Sequence, residues 1–137
     1  MLRFACQKGC VKCCDRRGSV YLSELDLLRA AKYLGMSTAE FEARYVVRYK
    51  HVMRLRKPPK GQSQCQFLSA KGCSIHPVKP TQCRAYPFWP SLIENHAVWK
   101  LEGTFCPGIG KGDLVQIKTA REIASDLAGT FPTLSTF

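Results

Sequence analysis

Eight cysteines are the residues of this chain that most clearly carry chemistry, and their spacing is uneven. The stretch CQKGCVKCC holds four of them in nine residues, and the whole pattern is C-x3-C-x2-C-C, fifty residues, then C-x7-C-x9-C-x22-C-P-G. Clustered thiolates are soft ligands that select zinc or iron–sulfur clusters over magnesium or calcium. We therefore predict a metal-binding protein, and the candidate ligands are Cys6, Cys10, Cys13, Cys14, Cys65, Cys73, Cys83 and Cys106.

The adjacent pair Cys13 and Cys14 bears on the number of metal centres. Side chains of neighbouring residues point in different directions, which disfavours their occupying two corners of one mononuclear tetrahedron. They are expected to serve two different metals or to bridge a multinuclear cluster. Eight sulfurs suffice for two four-cysteine centres. Cys13→Ser should therefore lose metal from one centre, and Cys14→Ser should lose metal from the other.

Spacing leaves the choice between zinc and iron open. Classical zinc folds pair two C-x2-C units, and the second half of this chain has no such unit. The tight N-terminal run and Cys106 before Pro107 favour iron–sulfur ligation. His76 lies three residues after Cys73, but the cysteines fill the expected coordination, so a surface or hydrogen-bonding role is favoured for it. His51 and His96 are expected to be solvated.

Two other uses of the cysteines are disfavoured. A disulfide between Cys13 and Cys14 would have strained geometry. The N-terminus lacks the apolar segment of a secretory signal, and no stretch approaches the roughly 20 apolar residues of a membrane helix. We expect a cytoplasmic protein with reduced thiols and no membrane partner. Buried apolar cysteines would account for one or two of the eight, not for all.

The formal net charge of +11 raises the alternative of a zinc-stabilised nucleic-acid-binding module. Eight metal-bound thiolates would lower this charge to about +3, and two divalent ions or clusters would bring it back to about +7. The densest basic stretch is Arg48–Lys60. A solvated helix end is favoured there over a phosphate contact, which would depend on Arg54, Arg56 and Lys57.

The first half of the chain predicts a helical hairpin. The stretch ELDLLRAAKYL after Ser23 has Leu25, Leu28 and Ala31 at helical spacing, a side that Leu34 could extend, and Gly35 is placed to end the helix. A second helix is expected from Ser37, whose spacing to Glu40 is that of a capping box. Its apolar side would be formed by Phe41, Tyr45 and Val46 or Tyr49.

The second half predicts irregular cysteine-rich loops followed by a helix. Four prolines between residues 77 and 90 disfavour long elements. The stretches HAVWKLEGTFC and LVQI have strand character. A last helix, REIASDLAG, would be capped by Thr119 with Glu122, and the tail after it would be loosely held. We therefore expect a small single α+β domain over residues 1–137, with its motifs within 4–112.

Several residues near the cysteines have expected supporting roles. The glycines of GIGKG fail the phosphate-loop spacing and instead allow the backbone to close around the metal, with N–H groups directed at sulfur. Phe88 and Trp89 are expected to cover the core. Three cations either offset thiolate charge or are simply solvated: Lys79, Arg84 and Lys111.

The stretches FACQKGCVKCC, CQFLSAKGCSIHPVKPTQCRAYPF and the later CPG together resemble the CxxCxxCC family of bacterial zinc- or iron-chelating domains. The resemblance spans Phe4 to Gly112 and departs from the family pattern in having three residues between Cys6 and Cys10. It implies the same eight cysteines as ligands, with Cys106 matching the CPG cysteine. A more distant similarity to flagellin lysine methylases implies an alternative, a cluster-dependent enzyme of protein methyl transfer or redox chemistry. No catalytic residue is identified for it.

Overall fold

The computed structural model describes residues 2–7, 10, 12–13, 19–50, 52–58, 65–69, 72–134 and 137. Cys14 and His51 lie outside these residues. The described chain mixes short helices with small antiparallel sheets and cysteine-rich loops, which confirms the predicted α+β class. It forms two compact units, which we name the terminal unit (Met1–Lys12 with Ala85–Phe137) and the central unit (Cys13–Arg84).

The strands are β1 (Leu2–Phe4), β2 (Tyr21–Leu22), β3 (Val46–Tyr49), β4 (Val52–Leu55), β5 (Leu68–Ser69), β6 (Gly72–Cys73) and β7 (Ile109–Val115). The α-helices are α1 (Glu24–Tyr33), α2 (Thr38–Tyr45), α3 (Thr81–Ala85), α4 (Pro90–Ile93), α5 (His96–Glu102) and α6 (Ile117–Thr130). A short 3₁₀ helix spans His76–Val78. No helix in the described part of the chain is long and apolar enough to cross a membrane.

In the central unit, α1 forms where predicted but packs on a different face. Ser23 caps it in a reciprocal capping box with Asp26, and Gly35 follows it at φ +70°. The buried side consists of Leu27, Ala30 and Ala31. The predicted face is therefore right for Ala31 and for Leu34, which packs against the core, and wrong for Leu25 and Leu28, which are 51% and 52% exposed. The helix is rotated so that the Asp26 carboxylate points inward, where it meets the hydrogen-bond donors described below.

The described part of the basic stretch Arg48–Lys60 contains the end of strand β3 and all of strand β4. The predicted helix end is therefore wrong. Helix α2 starts at the Ser37 cap as predicted but stops at Tyr45, and β3 then pairs with β4 in the register Val46↔Leu55. β-Branched residues favour this pleated surface. Sheet order is β2-β4-β3, and alternate residues of β4 face the core.

The core of the central unit is aromatic. Phe41 is fully buried and stacks on Phe67 at 6.1 Å between ring centroids, and Tyr45 lies 4.9 Å from the same ring. Beyond this core, β5, β6, the 3₁₀ helix and α3 are all short. For the described residues 65–69 and 72–90, this confirms the prediction that the proline-rich cysteine region lacks long elements.

The terminal unit is built on the antiparallel pair β1–β7, with α4, α5 and α6. Phe88 packs edge-on against Phe4 and stacks on Trp99, which confirms its predicted core role. The stretch HAVWKLEGTFC was wrongly predicted as a strand. It begins with helix α5, because the Asn95 side chain caps it at Ala97 N–H and Trp99 is buried.

The C-terminal elements also differ from expectation. Helix α6 begins at Ile117, with Gln116 as its cap residue, so Thr119 lies inside the helix and is not its cap. Phe131 and Phe137 are both buried at 8% exposure, and their rings are in contact. The prediction of a loosely held tail is therefore wrong for Phe131 and Phe137, whereas Pro132 and Thr133 between them are exposed.

Candidate metal centres

In the terminal unit, the register of strands β1 and β7 brings Cys6 close to Cys106. Phe4 pairs with Ile109, and Ala5 N–H donates to the Gly108 carbonyl at 3.0 Å. Antiparallel strands run past each other, so the residue that follows Ala5 and the residues that precede Gly108 meet at one end of the pair. These are Cys6 and Cys106. Cys10 is tied to the same segment, because its amide donates to the Gln7 carbonyl at 3.0 Å.

Cys106 lies in a pocket of backbone donors. It is buried at 7% exposure, and burial raises the pKa of its thiol, as do the charges of Cys10 and Cys6. The N–H groups of Gly108 and Ile109 hydrogen-bond its sulfur and lower the pKa. The expectation that the glycine segment would direct N–H groups at sulfur is confirmed for Gly108.

Gly108 is required for this approach of two chains. A Cβ at this position would lie 2.5 Å from the Ala5 carbonyl oxygen and 2.8 Å from Cε2 of Phe4. Any side chain would therefore push β1 away from the loop that carries Cys106. The close packing of β1 and the sulfur-directed N–H groups depend on the same glycine.

In the central unit, a hairpin positions two thiols beside the core. Cys73 pairs with Leu68 across β5 and β6, and Leu68 N–H donates to the Cys65 carbonyl at 3.2 Å. Both cysteines are partly buried and pack against the aromatic core cluster. The hairpin thus fixes Cys65 and Cys73 relative to each other.

Cys83, on α3, shares the electrostatic environment of the other three described thiols in this unit. Burial is the main cause that raises its pKa to about 12. The charges of Cys65, Cys13 and Cys73 raise it further, in that order, and Lys79 lowers it. Lys79 therefore offsets thiolate charge, one of the two roles left open for it, whereas Arg84 lies 3.9 Å from the Asp26 carboxylate.

The residue that sequence reasoning missed is Asp26, which holds α3 in place. Its side chain is 1% exposed, and its Oδ1 accepts hydrogen bonds from Thr81 N–H at 3.1 Å and Thr81 Oγ1 at 2.8 Å. Its Oδ2 accepts from Ser23 N–H at 3.0 Å. One carboxylate thus joins the first turn of α1 to the first turn of the helix that carries Cys83. The capping-box spacing from Ser23 was the available signal.

Gln82 makes a second attachment for α3. Its Oε1 accepts from Tyr21 N–H at 2.9 Å, and its Nε2 donates to the Ser19 carbonyl at 3.1 Å. The side chain is buried at 6% exposure. The helix that carries Cys83 is therefore connected to α1 through Asp26 and to β2 through Gln82.

We expect Asp26→Ala to lower the free energy of unfolding of the metal-loaded protein by about 3 kcal/mol, because it leaves buried N–H and O–H donors without an acceptor. Urea unfolding followed by circular dichroism measures this change. Glu24→Ala is the matched control on the same helix, since Glu24 is exposed and pairs with Arg48 at the surface; its cost should stay below about 1 kcal/mol. Equal effects of the two substitutions would contradict the role given to Asp26.

The donor set suits a soft metal, although the side chains are not arranged as a finished coordination shell. Among the described residues, no group of three or more histidine, cysteine, aspartate or glutamate side chains is arranged to hold an ion as it stands. The seven described cysteines are thiols and not disulfides. Ligand bonds to a metal close such a site as the protein folds around it. Soft sulfur donors, partial burial and N–H groups on Cys106 fit zinc or an iron–sulfur cluster.

Histidine does not join either thiol set in the described residues. His76 and His96 are exposed, as predicted. The described thiols are grouped by the charges that act on Cys83 and on Cys106. We name the first group the central set (Cys13, Cys65, Cys73 and Cys83) and the second the terminal set (Cys6, Cys10 and Cys106). Each set lies within one unit of the chain.

A small α+β fold with two sets of clustered thiols defines a cysteine-cluster protein of the metal-chelating class. Over residues 5–107 the sequence matches the model of the CxxCxxCC family, described as a "putative zinc- or iron-chelating domain". The chain belongs to this family, which confirms the resemblance drawn from its motifs. No solved structure matches the chain.

Proposed function

We propose that this protein binds two metal centres through thiolates, one in each unit. The central centre would use Cys13, Cys65, Cys73 and Cys83, and the terminal centre would use Cys6, Cys10 and Cys106. The observation that carries the proposal is the grouping of the thiols: the β5–β6 hairpin fixes Cys65 and Cys73, whose charges with that of Cys13 raise the pKa of Cys83, and the β1–β7 register brings Cys6 to Cys106, where the charges of Cys10 and Cys6 raise the pKa. Cys14 is proposed as a ligand from the sequence alone.

The physical reason is that clustered thiolates repel one another and need a cation. A metal ligand must be the deprotonated sulfur, so metal binding at each set releases protons and replaces repulsion by coordination. Cys13, Cys65, Cys73 and Cys83 would hold the central metal through their thiolate sulfurs, the soft donors that zinc and iron–sulfur clusters take. The elements that carry these thiols are short, so ligand bonds would supply much of the local stability that secondary structure does not.

For the metal itself, the tight N-terminal run and Cys106 before Pro107 favour iron–sulfur clusters, with zinc as the alternative. Both need reduced thiols, which the cytosol maintains, and we propose that compartment. The N–H groups on Cys106 would serve either metal, because hydrogen bonds to a coordinating sulfur stabilise its charge.

Metal and acid-labile sulfide content, with a visible absorption spectrum, test the proposal on protein purified without oxygen. A brown protein with iron and sulfide in similar amounts would identify clusters. A colourless protein with about two zinc ions and no sulfide would identify zinc centres. Protein that binds neither metal in stoichiometric amount, in cells or after reconstitution, would refute the proposal.

A further inference from the structure

The three-stranded sheet of the central unit has one face that the thiol chemistry does not use. Met53 and Leu55 of β4 are buried, so the alternating residues Arg54 and Arg56 point to the opposite side. Tyr21 on β2 and Val47 on β3 are the direct partners of Arg54 and share its face. We name this side of β2-β4-β3 the basic face.

An open groove of about 620 Å³ lies on the basic face. It is lined by Ser19, Val47, Arg54, Arg56 and Lys57, with no acidic residue among them. In the described part of the chain, the guanidinium groups of Arg54 and Arg56 form no ion pair with a carboxylate. The two guanidinium groups, with Lys57 beside them and no carboxylate in the lining of the groove, make a site for anionic oxygen atoms.

Two acidic residues of the central unit, Glu24 and Glu42, are bound to Arg48. Arg48 pairs with Met53 in the sheet register and therefore lies on the core-facing side. There its Nε donates to Glu42 at 2.8 Å and its Nη1 to Glu24 at 3.1 Å, which raises the pKa of Arg48. These two carboxylates neutralise Arg48, not the basic face.

An exposed aromatic ring lies beside the groove. Tyr49 is 70% exposed, and it follows Val47 by two residues, so both side chains share the basic face. Tyr49 and Arg54 are diagonal neighbours in the β3–β4 register, and side chains in that relation lie about 7–8 Å apart. Lys50 Nζ lies 5.4 Å from the Tyr49 ring centroid and adds a further cation at this end.

We propose that the basic face binds single-stranded nucleic acid, with a phosphate in the groove at Arg54, Arg56 and Lys57 and a base stacked on Tyr49. Cations that follow the backbone and an aromatic ring that offers a stacking surface are the two parts of such sites. A flat sheet face with an exposed ring suits unstacked bases, whereas a duplex hides its base faces. The site is independent of which metal the thiols hold.

The test uses metal-loaded full-length protein and a fluorescein-labelled oligothymidine of roughly 12 nucleotides, within the range of known single-strand sites. Fluorescence anisotropy gives its Kd. With three phosphate contacts, affinity should fall about 20-fold between about 50 and about 200 mM salt. Changing Arg54, Arg56 and Lys57 together to glutamine should weaken binding by more than about tenfold and remove most of that salt dependence. Tyr49→Ala should weaken it about tenfold.

Arg48→Gln is the matched control, since it removes one positive charge from the same hairpin on the other face; its Kd should stay within about twofold. Metal content of each variant, equal to that of the parent protein, establishes that it is folded. The proposal is overturned if the triple variant binds like the parent, if Arg48→Gln weakens binding as strongly, or if a duplex binds as tightly. Displacement of the oligonucleotide by polyglutamate at equal charge concentration would also overturn it, in favour of an acidic protein partner.

Discussion

Replacing Cys83 with serine should remove about half of the bound metal and leave the rest in place, because the thiols whose charges act on its sulfur are Cys65, Cys13 and Cys73 of the central set. Cys106→Ser should remove the other half, because the charges of Cys10 and Cys6 act on that sulfur. We expect the double variant to bind no metal. The measurement is metal per protein chain by atomic emission after extensive desalting, for each single variant and the double variant.

The two single variants control for each other, since both replace one partly or fully buried thiol by a hydroxyl of similar size. Loss of all metal from either one would mean a single shared centre. Full retention in both would mean that these are buried apolar cysteines. The adjacent pair extends the test: Cys13→Ser should behave like Cys83→Ser, and Cys14→Ser should lose metal from the other centre. Identical losses from Cys13→Ser and Cys14→Ser would instead indicate one cluster.

After metal removal, Cys83 should react with a disulfide reagent about 30-fold more slowly at pH 8 than a thiol of ordinary pKa. A pKa of about 12 in place of 9.0 lowers the thiolate fraction about 1,000-fold. The higher pKa makes the thiolate that does form about 30-fold more nucleophilic, so the two effects partly cancel. Mass spectrometry of quenched samples gives the modification rate at Cys83.

The pH dependence has a defined sign. The rate at Cys83 should keep rising, about tenfold per pH unit, up to about pH 12, whereas an ordinary thiol levels off above its pKa of about 9. Because folded Cys83 keeps its proton where the unfolded chain has lost it, the free energy of unfolding of the metal-free protein should fall as pH rises above about 9. Cys83→Ser should remove that part of the fall. A reaction rate at Cys83 that levels off near pH 9 would contradict the raised pKa.

The cysteine pattern was sufficient to predict the class of site, because ligand identity depends on residue type and is visible in the sequence. The two sets were not predictable from spacing. Cys6 meets Cys106 through the β1–β7 register, and Cys83 meets Cys65 and Cys73 through a helix docked on Asp26. Both depend on tertiary contacts between segments far apart in the chain.

The errors in secondary structure have related causes. Periodicity placed Leu25 and Leu28 on the apolar side of α1, whereas the helix buries Leu27 together with Asp26, whose carboxylate accepts hydrogen bonds from Thr81. The segment at Trp99 combines β-formers with helix-formers, and the Asn95 cap decided for the helix. Val46 has the same apolar character in a helix or a strand, and pairing with Leu55 placed it in the sheet. In each case a specific partner outweighed local preference.

The β1–β7 register also has a consequence for the order of events during synthesis. Cys6 and Cys106 are 100 positions apart, and β7 is complete only at Val115. With the proposed ligand sets, the last central thiol is synthesised at residue 83, while the terminal set still lacks its last sulfur and its closing strand. At 5–20 residues per second, roughly one to several seconds separate the synthesis of Cys83 from that of Val115. The central set would therefore emerge from the ribosome first, and metal would bind the two sets of the nascent chain in that order.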